Sequence, residues 1–142
     1  MNIDELYNEI EKDLKIDDTE LDLESIRTPQ LHNKYLKLYT TYSLQYKKLQ
    51  DDYKVMYRFK WEYYGGKADA KVYVAKPFDL KVLKTDLQMY INSDDEILEL
   101  QGKISYYESI IRFIDGIIKS IDNRGWDIRN ATEWKKFEAG MI

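Results

Sequence analysis

The sequence predicts an all-α protein built on two long helices packed antiparallel, with short terminal helices, in one domain over residues 1–142. Three observations carry this. Proline occurs only twice in 142 residues, and charged residues make up 34%, a balance that suits solvated helix faces better than a β-sandwich. Apolar residues recur at spacings of three and four from Leu31 to Tyr63. They do so again, without a fault, from Ile97 to Ile121, the periodicity that lines one face of a helix.

Residues 1–29 read as an acidic N-terminal arm. Ile3, Leu6, Tyr7, Ile10 and Leu14 make a short amphipathic helix with acids on its other face. Asp17-Asp18-Thr19 reads as a turn or cap, and Asp22–Pro29 as a linker. Thr28-Pro29 reads as the start of the next helix, because proline is tolerated in a first turn. Two placements are open to the arm: docking on a partner, or folding back on the basic middle.

Residues 30–66 read as one basic, aromatic helix. Leu31, Tyr35, Leu38, Tyr42, Leu49, Met56, Phe59 and Tyr63 form a coiled-coil-like seam. Gln45 and Asp52 are its polar interruptions, of the kind that set register. A second row of Tyr39, Tyr46, Tyr53, Tyr57 and Tyr64 requires two packing partners, or one partner and a ligand. Gly65-Gly66 is the stop. His32, the single histidine, reads as structural or solvent-facing.

Residues 67–92 read as a connector. Its β-branched run Lys71–Lys76 suggests a small β-hairpin near residues 67–77, ended by Pro77, and Asp79–Tyr90 reads as a short helix or an extended arm. Residues 93–142 read as oligomerising helices and a C-terminal tail. Ser93 with Glu96 three residues on has the form of a capping box. Ile97, Leu100, Ile104, Tyr107, Ile111, Ile114, Ile118 and Ile121 make the clearest stripe, widened by Ile110 and Ile117. Isoleucine at both seam positions favours assemblies above two strands, and burying each one contributes about 2 kcal/mol. One chain has only one other long helix to cover this stripe. The surplus is therefore expected between copies, with Ile97, Leu100, Ile104, Ile111, Ile114, Ile118, Ile121 and Phe137 as oligomerisation residues. Gly125 reads as the helix stop, and Asn130 as the cap of a last short helix carrying Trp134 and Phe137. The apolar end Phe137–Ile142 is expected to dock on a neighbouring copy.

With no cysteine, disulfides and thiolate metal sites are excluded. No run approaches the ~20 apolar residues of a membrane span, and no signal peptide opens the chain. The reading is a soluble cytosolic protein with no membrane partner. No phosphate-cradling glycine loop, histidine pair or metal-ligand spacing occurs. Gly65-Gly66-Lys67 has the wrong spacing, and Asp94-Asp95 reads as a pair of acids at a helix start. No catalytic residue, cofactor or metal is expected.

The net charge of −4 is unevenly divided. Residues 1–30 carry 3 basic and 10 acidic side chains, residues 31–76 carry 10 and 4, and residues 77–142 carry 9 and 12. A basic middle between acidic ends points to an anionic partner there. The excess gathers in Lys54–Lys67. There Lys54, Arg58, Lys60 and Lys67, with Lys71 beyond, alternate with Tyr53, Tyr57, Phe59, Trp61, Tyr63 and Tyr64. Cations track phosphates and any base stacks on a ring, so the combination suits single-stranded nucleic acid without sequence preference. The competing reading is a helix end whose dipole favours cations and whose aromatics are core, in a structural helical oligomer or adaptor that binds no nucleic acid. Lys47, Lys54 and Arg58 share a face, whereas Arg58 and Lys60 lie about 200° apart on a helix. Either the helix ends near Phe59, or the two cations line a groove completed by different subunits, with Lys60 pointing towards Lys67.

Arg58-Phe59-Lys60-Trp61-Glu62-Tyr63-Tyr64-Gly65-Gly66 fits the pattern basic-x-basic-apolar-acidic-Tyr-Tyr-x-Gly. Asp4-Glu5-Leu6, Lys12-Asp13 and Ile16-Asp17-Asp18-Thr19 with Leu21 precede it, and Arg124-Gly125-Trp126 with Ile128 and Phe137-Glu138-Ala139-Gly140 follow. In these motifs the sequence resembles the UvsY-type recombination mediators of T-even-like phages along almost its whole length, with Lys67–Leu83 matching poorly. The resemblance implies a ring-like homo-oligomer of about six or seven subunits that binds single-stranded DNA. It implies loading of a RecA-like phage recombinase onto DNA covered by the phage single-strand-binding protein, in the cytoplasm of the infected bacterial host. It also implies Arg58 and Lys60 as the DNA-binding motif, making phosphate contacts. Lys54 and Lys67 would support them, and Tyr57 or Trp61 would stack on bases. Tyr57, Phe59 and Trp61 are bulkier than the small apolar residues other members can carry there.

Overall fold

The three-and-four spacing becomes five helices in a computed structural model that describes residues 2–141. They are α1 (Ile3–Leu14), α2 (Leu21–Tyr64), α3 (Ala70–Ala75), α4 (Leu87–Asn92) and α5 (Asp95–Glu138). The described residues contain no strand, so the β-hairpin expected near 67–77 is replaced by α3. No described helix is long and apolar enough to cross a membrane. The chain forms two compact units, one from Met1–Ser43 with Ser109–Ile142 and one from Leu44–Glu108.

In the first unit the acidic arm is folded, not free. Asn2 and Glu5 close a capping box on α1. Leu6 and Ile10 are buried among Leu31, Tyr35, Ile110, Ile114, Ile117 and Ile121. The arm's acids meet cations of α2: Lys34 Nζ lies 2.6 Å from both Glu9 and Asp13, and the Tyr35 hydroxyl donates to Asp13 at 2.7 Å. Of the two placements open to the arm, it takes the one facing basic residues. Asp17 accepts from the Thr19 amide at 2.9 Å, closing the expected turn.

Two helix boundaries differ from the sequence reading. Asp22–Pro29 is helix, and Pro29 lies inside α2. A proline removes one helical donor, and here the preceding turn is held from the side. Arg124 Nη1 donates to the Glu24 carbonyl at 2.6 Å and to Thr28 Oγ1 at 2.7 Å, while Arg124 Nη2 pairs with the Glu24 carboxylate. The second difference is Gly125, which is not a stop. It has no positive φ, and Asn130 is likewise interior to α5. Arg124 and Ile128 are buried on the same side as Ile121, so packing carries the helix through the glycine. Beyond α5 the left-handed residue is Gly140, at φ 72°. Ile142, the end of the apolar tail, lies outside the described residues.

The buried rows also step where the sequence seams did not. In α2 the first unit uses Leu31, Tyr35, Leu38 and Tyr42, and the second uses Tyr46, Leu49, Tyr53, Met56, Lys60 and Tyr63, leaving Gln45, Asp52 and Phe59 exposed. Two successive steps of four, at Leu38–Tyr42–Tyr46, make a stutter in the heptad. In α5 the row runs Ile97, Leu100, Ile104 and Tyr107, then Ile110, Ile114, Ile117 and Ile121.

Arg124→Ala is expected to lower unfolding free energy by about 1.5–3 kcal/mol, because it removes the charged hydrogen bonds to Glu24 and leaves that carboxylate, among the described residues, with Arg27 Nη1 alone, at 3.3 Å. Glu24→Leu/Arg124→Leu should recover most of that loss. Urea unfolding at one fixed protein concentration reads both.

Candidate nucleic-acid interface

The site begins with the way α2 ends. Gly66 adopts φ 74°, Lys67 N–H donates to the Glu62 carbonyl at 2.8 Å and Gly66 N–H to the Tyr63 carbonyl at 3.3 Å. This is a Schellman cap, which needs a left-handed residue that glycine supplies without strain. Gly65 is required for space, since a Cβ there would stand 2.9 Å from the Trp61 carbonyl. The cap turns the chain back on itself, so that Lys67 Nζ lies 4.7 Å from the centre of the Trp61 ring.

Lys54, Arg58 and Trp61, spaced by four and three, occupy one helical face, and Lys67 joins them through the cap. All four are exposed, and Lys54 and Arg58 form no ion pair among the described residues. Tyr57 is half-buried beside Tyr53, with ring centres 6.1 Å apart. Lys47, further along the face, pairs with Asp51 at 3.0 Å, an exposed pair of small energetic weight.

Lys60 is elsewhere. It is 2% exposed, with Nζ 3.2 Å from Asp94 and 3.4 Å from Glu96. The expected grouping of Lys60 with Lys67, and of Lys60 with Arg58 as two phosphate ligands, is not what this structure brings together. Helical spacing explains the difference: Lys60 continues the buried row of Tyr53 and Met56, and a buried cation requires an acid. Asp94 also accepts from the Tyr64 hydroxyl at 2.7 Å and from the amides of Glu96 and Ile97 at 2.9 and 3.2 Å. It is therefore the cap of α5, a place the sequence reading assigned to Ser93, whose hydroxyl donates back to the Met89 carbonyl. Burial pushes the Asp94 carboxyl up, but bonds from Tyr64, Ile97 N–H and Lys60 outweigh it and hold the group below its ordinary range. Burial, and donation to that carboxylate, push the Tyr64 hydroxyl up.

An aromatic cluster fixes the connector against this helix end. Phe78 lies 5.6, 4.9 and 6.0 Å from Tyr63, Tyr64 and Tyr90. Tyr73 stacks on Tyr63 at 5.4 Å and donates to its carbonyl. Tyr63 is thus buried and Tyr64 half-buried, whereas Trp61 and Phe59 face outward.

The expected oligomerisation residues divide in the same way. Ile97, Leu100, Ile114 and Ile121 are buried within the chain, while Ile104, Ile111 and Ile118 are half-buried. Phe137 is exposed and stacks on exposed Trp134 at 5.5 Å. Exposed apolar side chains thus include Trp126, Trp134 and Phe137 on the last turns of α5, while α1 covers part of the isoleucine stripe.

A family model described as recombination, repair and ssDNA binding protein UvsY matches residues 9–141. The recombination protein uvsY of Enterobacteria phage T4 is 24% identical over 140 residues, covering 99% of this chain and 99% of that protein. Two crystal structures of the bacteriophage T4 recombination mediator protein UvsY superpose with TM-scores of 0.85 and 0.84, at 24% and 23% identity. They cover 98% and 94% of this chain and 98% of each of theirs. At these identities the likeness shows a shared fold.

Because the folded-state pKa of Asp94 is depressed, its contribution to stability is present above the ordinary carboxylate value of about 3.9. It is lost as pH falls through the lowered value. Asp94→Asn should be less stable at neutral pH and flatter than the parent below about pH 4, read by thermal unfolding across that range. Gly66→Ala should cost about 1–2 kcal/mol for the left-handed backbone.

Proposed function

Because the chain belongs to the UvsY family of recombination, repair and single-stranded-DNA-binding proteins, we propose that it is a recombination mediator that binds single-stranded DNA as a homo-oligomer. In this reading it promotes loading of a RecA-like phage recombinase onto DNA covered by the phage single-strand-binding protein, in the host cytoplasm. The observation that carries the proposal is the exposed face of Lys54, Arg58, Trp61 and Lys67. Two cations free of carboxylate partners offer phosphate contacts, and the ring beside them offers a sequence-neutral stacking surface. Tyr57 is the second candidate ring. Lys60 takes an indirect part: its pairing with Asp94 holds the helix end that presents the face.

The exposed Trp126, Trp134 and Phe137 supply apolar surface for a neighbouring copy. A ring-like assembly of weak sites grips one strand tightly. Bending the strand across several sites loosens the covering protein and leaves DNA open to the recombinase.

The test is anisotropy of a labelled oligo-dT strand at several salt concentrations, with light scattering to follow assembly. Affinity should fall with salt. Arg58→Ala and Lys54→Ala should each weaken binding and reduce the log–log salt slope by about 0.7 for each phosphate no longer neutralised, with assembly and melting temperature unchanged. Lys60→Met should instead lower the melting temperature. A parent protein that ignores the strand at low salt overturns the reading.

A further inference from the structure

We propose that a groove lined by Gln50, Tyr53, Lys54, Gln101 and Ile104 is a nucleobase pocket serving the cationic face. It lies wholly within the second unit and has a volume of about 420 Å³, within the range of small-ligand clefts. The proposal rests on the single-strand reading and adds a place for a base where that reading has only rings and charges.

Three features carry it. The first is continuity. Lys54 belongs both to the groove and to the exposed face, and Gln50, Lys54 and Arg58 follow at steps of four on one side of α2. A phosphate at Lys54 therefore places the attached base within reach of the groove. Trp61 lies about 10 Å further along the axis, where a following base stacks. The second feature is shape and polarity. The half-buried Tyr53 ring and Ile104 form the apolar lining, the surface a base requires, and the hydroxyl and amides sit among them. The third is hydrogen-bonding capacity. Each glutamine amide offers two donors and an acceptor, so the Gln50 and Gln101 pair can meet the Watson–Crick edge of any base. Gln101 Nε2 donates to the Tyr53 hydroxyl at only 3.3 Å, a long hydrogen bond that a base edge can replace. The pocket thus registers that a base is present and leaves its identity unread.

A lysine-and-arginine face alone would bind any polyanion of suitable spacing. The groove adds a requirement that bases be unpaired, since a base held in a duplex has its Watson–Crick edge occupied.

The test compares a labelled oligo-dT strand with an abasic strand of the same length and charge, using the full-length parent, Gln101→Ala, Gln50→Ala and Arg58→Ala. Each glutamine variant should bind oligo-dT about three- to tenfold more weakly, the effect of one or two net hydrogen bonds. Each should bind the abasic strand as the parent does. An equal loss on both strands, or no loss on either, overturns the pocket. The single-strand reading fails separately, if the parent does not bind oligo-dT or if Arg58→Ala leaves both strands unaffected. Gln101 is exposed, so unchanged thermal unfolding is expected for its variant, and a drop in melting temperature with equal losses on both strands counts against the pocket.

Discussion

Lys60 and Asp94 meet at 3.2 Å with 2% of each side chain open to solvent, and the second unit is arranged around that contact. Taking both charges out of water costs several kcal/mol, which their attraction repays only when the remaining valences are filled. Here Asp94 fills its own with the Tyr64 hydroxyl and two amides of α5. One carboxylate therefore joins the end of α2, the start of α5 and the aromatic cluster around Phe78. A shift along either helix would leave a bare charge in the interior, so the pair opposes other registers. In the first unit, Arg124 and Glu24 play the same part beside Pro29, with Arg124 Nε the one orphaned atom among the buried side-chain nitrogens and oxygens of the described residues.

Locking the helix end has a consequence for what faces outward. Once Lys60 and Tyr63 are committed to the interior, the 100° step of the helix leaves Lys54, Arg58 and Trp61 on the outer side. The glycine pair then sets Lys67 over Trp61 rather than letting it run on. The exposed stripe and the buried pair are two faces of one short run, so a motif dense in both cations and rings divides between interior and surface. The groove at Gln50 and Gln101 extends that outer side towards α5. The positive stripe stands on a chain of net charge −4, so the field that would draw a strand is local rather than global.

How much was legible in the residues depended on the range of the interaction. The helical class, the two long helices, the α1 helix and the cap at Gly65-Gly66 follow from local rules, and all of them appear. The chain's likeness to its family was likewise carried by short motifs in order. The misjudged boundaries were those where a local signal met a distant partner. Pro29 read as a helix start because the donors from Arg124, about a hundred residues on, were invisible to local reasoning. Gly125 read as a stop because the burial of its neighbours Arg124 and Ile128 could not be seen. The β-branched run at Lys71–Lys76 became helix, with Tyr73 anchored on Tyr63, an instance of tertiary context overriding a weak strand preference.

By itself the sequence determined that the chain is helical, that its middle is basic and aromatic, and that it carries two long helices, because periodicity, charge and capping act over a few residues. Only the tertiary structure decided which of two neighbouring cations is available. Arg58 and Lys60 look alike in a motif, yet one stands in water and the other beside Asp94, because the buried row steps at Tyr42–Tyr46 and carries Lys60 inward. Only the fold brought Gln50 and Gln101 to one groove, since residues so far apart in the chain become neighbours only when two antiparallel segments are packed. Only the fold, likewise, set the acidic first helix over part of the isoleucine stripe, with Leu6 and Ile10 against Ile110, Ile114, Ile117 and Ile121.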